Sequence, residues 1–156
     1  METAYLLDTN ICIYIRQERP VELLRRFQKL RAGEAAVSVI TYGELIYGAE
    51  KSAHRSAALE PLRELVTLLP ALPLPETAAQ AYGKIRSHLE ARGEMIGNND
   101  LWIAAHALAA RLILVTNNEK ELRRVPGLKL QNWAQASSQS VTSNLRPRYQ
   151  HPTSAV

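Results

Sequence analysis

With 156 residues, 46% of them hydrophobic and 22% charged, the chain is long enough to bury one proper core and has the make-up of an ordinary globular domain. No apolar run approaches the roughly 18 residues of a transmembrane helix, no basic flank and cleavage site mark a signal peptide, and the single cysteine, Cys12, excludes an intramolecular disulfide and fits a reducing cytoplasm. The net charge of +4 is compatible with a nucleic-acid partner, although the densest basic stretches, Arg25–Arg31 and Lys120–Arg124, read singly as solvated helix faces.

Taken in chain order, "AYLL" (Ala4–Leu7) is a short buried strand, followed by a helical turn from Asn10. Pro20 opens a helix where its missing N–H costs nothing; Val21, Leu24, Phe27 and Leu30 recur at helical spacing, and Gly33 is the expected stop. A second strand runs over Ala35–Ile40, and a helix over Thr41–Ser52 starts at a cap on Thr41 or Ser38. The next helix, Ser56–Leu69, contains Pro61, expected to break it. Ala71–Leu74 is a strand whose flanking prolines suit a sheet edge. Pro75 and Glu76 begin a helix that Gly93 ends. Asn98–Arg111 is a strongly apolar helix with Asn98 or Asn99 as cap, and Leu112–Thr116 a β-branched buried strand. A short helix in Asn118–Arg124 and a last strand in Leu128–Trp133 complete the pattern. Repeated βα order predicts an α/β fold with a mainly parallel sheet covered on both faces. From Ala134 the chain turns Ser-, Gln- and Thr-rich, so residues 1–133 are expected to form the domain and 134–156 a disordered tail.

In open α/β sheets ligands bind beyond the carboxyl ends of the strands. Asp8 falls at the end of the first strand, Glu44 early in the helix after the second, and Asp100 at the start of the helix before "LILVT". Asn10, Thr116 and Asn118 are polar neighbours at the same ends. Each has a plain alternative: Asp8, Asp100 and Asn118 as helix caps, Glu44 as a solvent-facing residue. Converging carboxylates repel, by about 4 kcal/mol for two charges 4 Å apart at an effective dielectric of 20. A divalent cation removes that penalty, and hard oxygen donors without His or Cys select Mg²⁺ or Mn²⁺. Such a centre suits phosphodiester hydrolysis. The four histidines have no metal-ligand spacing, and His106, Trp102 and Trp133 read as packed side chains. No G-x-S-x-G elbow is present, and the single Asp of "DTN" lacks the D-x-D pair of haloacid-dehalogenase phosphatases.

"LLDTN", "SVITYGELIYGAEKS", "IGNNDLWIAAHALA" and "LVTNNEKELRRVPGLKLQNW" follow one another between Tyr5 and Trp133. In that order they resemble the PIN-domain family, in particular the VapC-type toxins of bacterial toxin–antitoxin pairs. The resemblance implies a PIN-like three-layer α/β/α sandwich with about five strands. It also implies a metal-dependent endoribonuclease that halts translation, with tRNA as the leading substrate. The family's acidic positions fall on Asp8, Glu44 and Asp100; a fourth falls on Asn118, with Glu121 a substitute acid one turn on. Further implications are Mg²⁺ or Mn²⁺, a homodimer, a VapB-type antitoxin, and operator DNA bound only through that antitoxin. The competing expectation is a non-catalytic PIN-like module whose acids hold an arginine of a partner.

Overall fold

The structure, a computed structural model, describes residues 2–135; the tail expected over 134–156 lies, from residue 136 onward, outside the described residues. The elements are β1 (Tyr5–Leu7), α1 (Thr9–Arg16), α2 (Val21–Gln28), β2 (Ala35–Ser38), α3 (Val39–Glu50), α4 (Arg55–Leu68), β3 (Ala71–Leu72), α5 (Thr77–Ala91), α6 (Asn98–Ala110), β4 (Ile113–Val115), α7 (Glu119–Leu122) and β5 (Leu130–Gln131). The strands form one sheet in the order β3-β2-β1-β4-β5, and every pairing is parallel. Chain order therefore runs outward from β1 in one direction and jumps back to its other side at β4. That reversal between β1 and β4 is the topological switch point of the sheet.

Consecutive residues of β1 and β4 serve opposite layers, as the pleat demands. Leu6 and Leu114 enter a core shared with Ile85, Leu89, Leu101 and Ile103 of α5 and α6. Leu7 and Val115 enter a second core with Ile11, Leu23, Leu45, Leu62, Leu65 and Trp133. Burial of each such leucine contributes about 1.5–3 kcal/mol. The outcome is the three-layer sandwich the sequence predicts. Both short end strands, β3 and β5, lie at sheet edges.

Several boundaries move, each for a local reason. β2 stops at Ser38 instead of Ile40, because the Ser38 hydroxyl accepts the Ile40 N–H (3.2 Å) and turns the chain into α3; Thr41 lies inside that helix. Helix α1 begins at Thr9 instead of Asn10, with Asp8 as cap. Gly33 does not end α2, which stops at Gln28; it adopts φ +85° in the turn into β2. Pro61 does not break its helix: α4 continues through it. Gly97, not Asn98 or Asn99, is the N-cap residue of α6. Trp133 is buried and meets Tyr5 edge to face, whereas Trp102 is half-buried and stacks on Tyr82 with centroids 3.8 Å apart. Among the described residues no helix is long and apolar enough to cross a membrane.

Candidate active site

β1 and β4 deliver two polar residues to the switch point. Asp8 follows β1, donates its backbone N–H to the Val115 carbonyl (3.0 Å) and is only 6% exposed. Its Oδ1 accepts the Ile11 N–H at 3.0 Å, so the capping alternative is realised, and α1 starts where it does for that reason. Thr116 follows β4 and is fully buried. Its hydroxyl accepts the Asn118 N–H (2.9 Å) and lies beside the Asp8 carboxylate, whose pKa it lowers. Asp8 thus caps α1 while its carboxylate sits at the carboxyl end of β1, at the switch point.

Glu44 arrives from α3, in the second turn after Ser38, and is half-buried. The Thr9 hydroxyl donates to Glu44 Oε1 at 2.7 Å, tying α3 to the start of α1, with the Thr41 hydroxyl 3.5 Å away. Asp100 occupies the first turn of α6, where the helix dipole favours negative charge. Its Oδ2 lies 3.6 Å from where a Cβ on Gly97 would stand. Asn118 does not cap α7 with its side chain; Nδ2 donates instead to Glu121 Oε2 at 3.0 Å. Asn10 is exposed in the first turn of α1, without a side-chain hydrogen bond among the described residues.

Electrostatics bind these acids into one group. Asp8 has its pKa pushed up to about 6, first by burial, with the charges of Asp100 and Glu44 adding to the rise; the bonds from Thr116 and Ile11 oppose it. Asp100 is also raised, by partial burial and then by the charges of Glu44 and Glu121. The ion pairs among the described residues use other acids, so none of the described basic side chains pairs with this cluster. Among the described residues no three His, Cys, Asp or Glu side chains stand close enough to clasp an ion as they are. Repulsion within an acidic group lacking a cationic partner opposes such closure. The donors are all hard oxygens, the set that fits Mg²⁺ or Mn²⁺ and not Zn²⁺.

Two features of the rim have little signal in the sequence. Asn117 donates to the Tyr14 hydroxyl (3.3 Å) and accepts from Asn132 (3.0 Å), which bridges the ends of β4 and β5. Asn99 lines a groove with Val39, Gly43, Glu44 and Tyr47. The paired asparagines of "GNND" and "TNNE" were the available hint, although amide pairs equally mark turns and caps.

A model of the PIN domain matches residues 5–128. The ribonuclease VapC2 of Haemophilus influenzae is 43% identical over 129 residues, covering 83% of this chain and 97% of its own. The tRNA(fMet)-specific endonuclease VapC of Shigella flexneri is 39% identical over 130 residues, covering 83% of this chain and 98% of its own. Among solved structures, VapBC2 of Rickettsia felis bound to a DNA fragment from its promoter superimposes with a TM-score of 0.77 at 37% identity, covering 84% of this chain and 99% of that one.

Proposed function

The chain belongs to the PIN-domain family, and from that premise we propose that it is the toxin of a toxin–antitoxin pair, an endoribonuclease that uses Mg²⁺ or Mn²⁺ to hydrolyse RNA. The observation that carries the reading is the acidic group at the switch point: Asp8, Glu44 and Asp100 come from three separate elements, the charges of Glu44 and Asp100 add to the raised pKa of Asp8, and no cationic side chain among the described residues pairs with them. The relatives named ribonuclease and tRNA(fMet)-specific endonuclease support RNA as substrate, with a tRNA as the specific candidate.

Asp8 and Asp100 would hold the ion, with Glu44 completing the donor set. When bound, the ion supplies positive charge for the scissile phosphate and lowers the pKa of water. The chain's own residues do the rest. Hydrolysis forms a bond from water oxygen to phosphorus, breaks the bond to the leaving oxygen, and moves one proton from water to that oxygen. Glu44 has Oε1 occupied by the Thr9 hydroxyl, which fixes its rotamer and leaves Oε2 as the oxygen that would join the donor set. The Ile11 N–H holds Asp8 in place, and the Thr116 hydroxyl, itself fixed by the Asn118 backbone N–H, favours the charged form of that carboxylate. Asn118 and Glu121 are bonded to each other and form the flank beside Asp100. Asn10, exposed in the first turn of α1, would orient water or RNA.

The Rickettsia complex, a VapBC pair bound to a DNA fragment from its promoter, supports a VapB-type antitoxin as partner; a homodimer, and DNA bound only through the antitoxin, belong to the same proposal. Purified Asp8→Asn protein is the decisive reagent: cleavage of RNA at the wild-type rate would overturn the proposal. The alternative, a binding module whose acids receive a partner's arginine, is favoured by the absence of any three acids in clasping range among the described residues. Metal titration separates the two. Under the nuclease reading, Mn²⁺ at 100 times its Kd adds about 2.7 kcal/mol of stability, and Asp8→Ala/Asp100→Ala removes the gain. Under the alternative, no metal moves the melting temperature.

A further inference from the structure

Outside the acidic group, the described interior holds one polar contact that joins two of its supporting helices. His106 lies in α6, 1% exposed, and its Nδ1 is 2.8 Å from the hydroxyl of Ser38, which is fully buried. Sixty-eight residues separate the two in sequence. Ser38 is also the cap of α3, its oxygen accepting the Ile40 N–H. That leaves the hydroxyl proton in need of an acceptor, and Nδ1 is in place to take it. Burial lowers the pKa of the imidazole, which keeps the ring neutral and Nδ1 able to accept.

The position of this bond relative to the acids is its notable property. Glu44 is six residues C-terminal to Ser38, and Asp100 six residues N-terminal to His106. At the helical rise each acid therefore lies about 9 Å along its helix from the bond, in opposed chain directions. Glu44 and Asp100 repel each other across the gap between α3 and α6. The Ser38–His106 bond pulls the same two helices together.

Resting on the nuclease reading above, we infer that Ser38 and His106 are positioning residues, a buried clamp between α3 and α6 that sets the spacing of Glu44 and Asp100 for the ion. Neither touches substrate. The clamp acts because a hydrogen bond inside a dry interface must be satisfied or lost outright, so it tolerates little spreading of the helices.

The test uses the full chain. His106→Phe keeps an aromatic ring and loses Nδ1; His106→Asn brings an amide to the position of Nδ1; Ser38→Ala removes the other partner. Mn²⁺ affinity is measured by calorimetry without RNA. The Kd rises about tenfold in His106→Phe and in Ser38→Ala, returns toward wild type in His106→Asn, and rises no further in the double variant. A His106→Phe protein that melts at lower temperature yet binds Mn²⁺ as wild type does overturns the clamp. If His106→Phe does not fold, Ser38→Ala carries the same comparison. Wild-type protein that binds no Mn²⁺ would instead sink the nuclease reading. The clamp is then judged from crystal structures of wild type and variant: a wider Glu44–Asp100 separation in the variant supports it, and an unchanged one overturns it.

Discussion

The carboxyl edge of the central strands and the outer surface of α4 and α5 treat negative charge in opposite ways. On the surface, Glu60 faces Arg63 at 3.2 Å, Glu90 faces Arg86 at 3.0 Å, and Glu50 pairs with Arg55, all largely exposed. At the carboxyl edge, Asp8, Glu44 and Asp100 are buried or half-buried and have no cationic side chain paired with them among the described residues, and burial together with neighbouring acids raises the proton affinity of Asp8 and Asp100. Exposed pairs are screened and contribute little. Unpaired acids at a buried edge cost stability, and a fold keeps them where a cation or a substrate repays the cost. Charge count alone does not separate the regions; burial and partner do.

The largest effect is expected on catalysis. Asp8→Asn should lower RNA cleavage by more than about 100-fold, the upper end of what loss of an outer partner does to a metal site, in a gel assay with Mn²⁺. The same substitution sharpens the contrast through stability. With chelator present, the Asp8 pKa of about 6 lies above its ordinary 3.8, so between those values the folded state binds more protons than the unfolded. Stability is then fully present below about pH 4 and is lost as pH rises through about 6, by about 3 kcal/mol from this group. Denaturant melts of wild type and Asp8→Asn across pH 4–7 should differ in slope by that contribution, the variant being flatter and more stable at neutral pH. Equal slopes would mean that Asp8 is not raised.

A smaller change is expected from Thr9→Val, which keeps the shape and removes the donor to Glu44 Oε1. Its cost is about 0.5–1.5 kcal/mol in stability, with kcat falling more than KM rises if Glu44 loses its rotamer. At the bottom of the scale, Arg63→Ala breaks an exposed pair and should leave both melting temperature and cleavage unchanged. A cleavage defect there would erase the distinction between the regions.

The layout of the site was legible where local chemistry and chain order agree. "YLLD" shows a buried strand ending on a carboxylate, and repeated βα order places Asp8, Glu44 and Thr116 at one edge without any coordinates. Boundaries were less legible, because a hydroxyl can continue a strand or cap a helix. Val39 and Ile40 favour strand by propensity, and the Ser38 cap overrides them. Gly97 was missed as the cap of α6 because Asn98 and Asn99 are the better capping residues. The pairing of His106 with Ser38 was out of reach: an apolar helix around a histidine predicts burial, but a partner sixty-eight residues away is set by tertiary packing alone.

The split of β1 between two cores has a consequence for the site. Leu6 fills one layer and Leu7 the other. Sliding the strand by a single residue would push each leucine into space shaped for its neighbour and carry Asp8 away from the Thr116 hydroxyl. The three-residue strand therefore works as an indexing pin. The carboxylate's location is machined by the sorting of two oily side chains, and substitutions that blur that sorting should blunt the chemistry while leaving every polar residue in place.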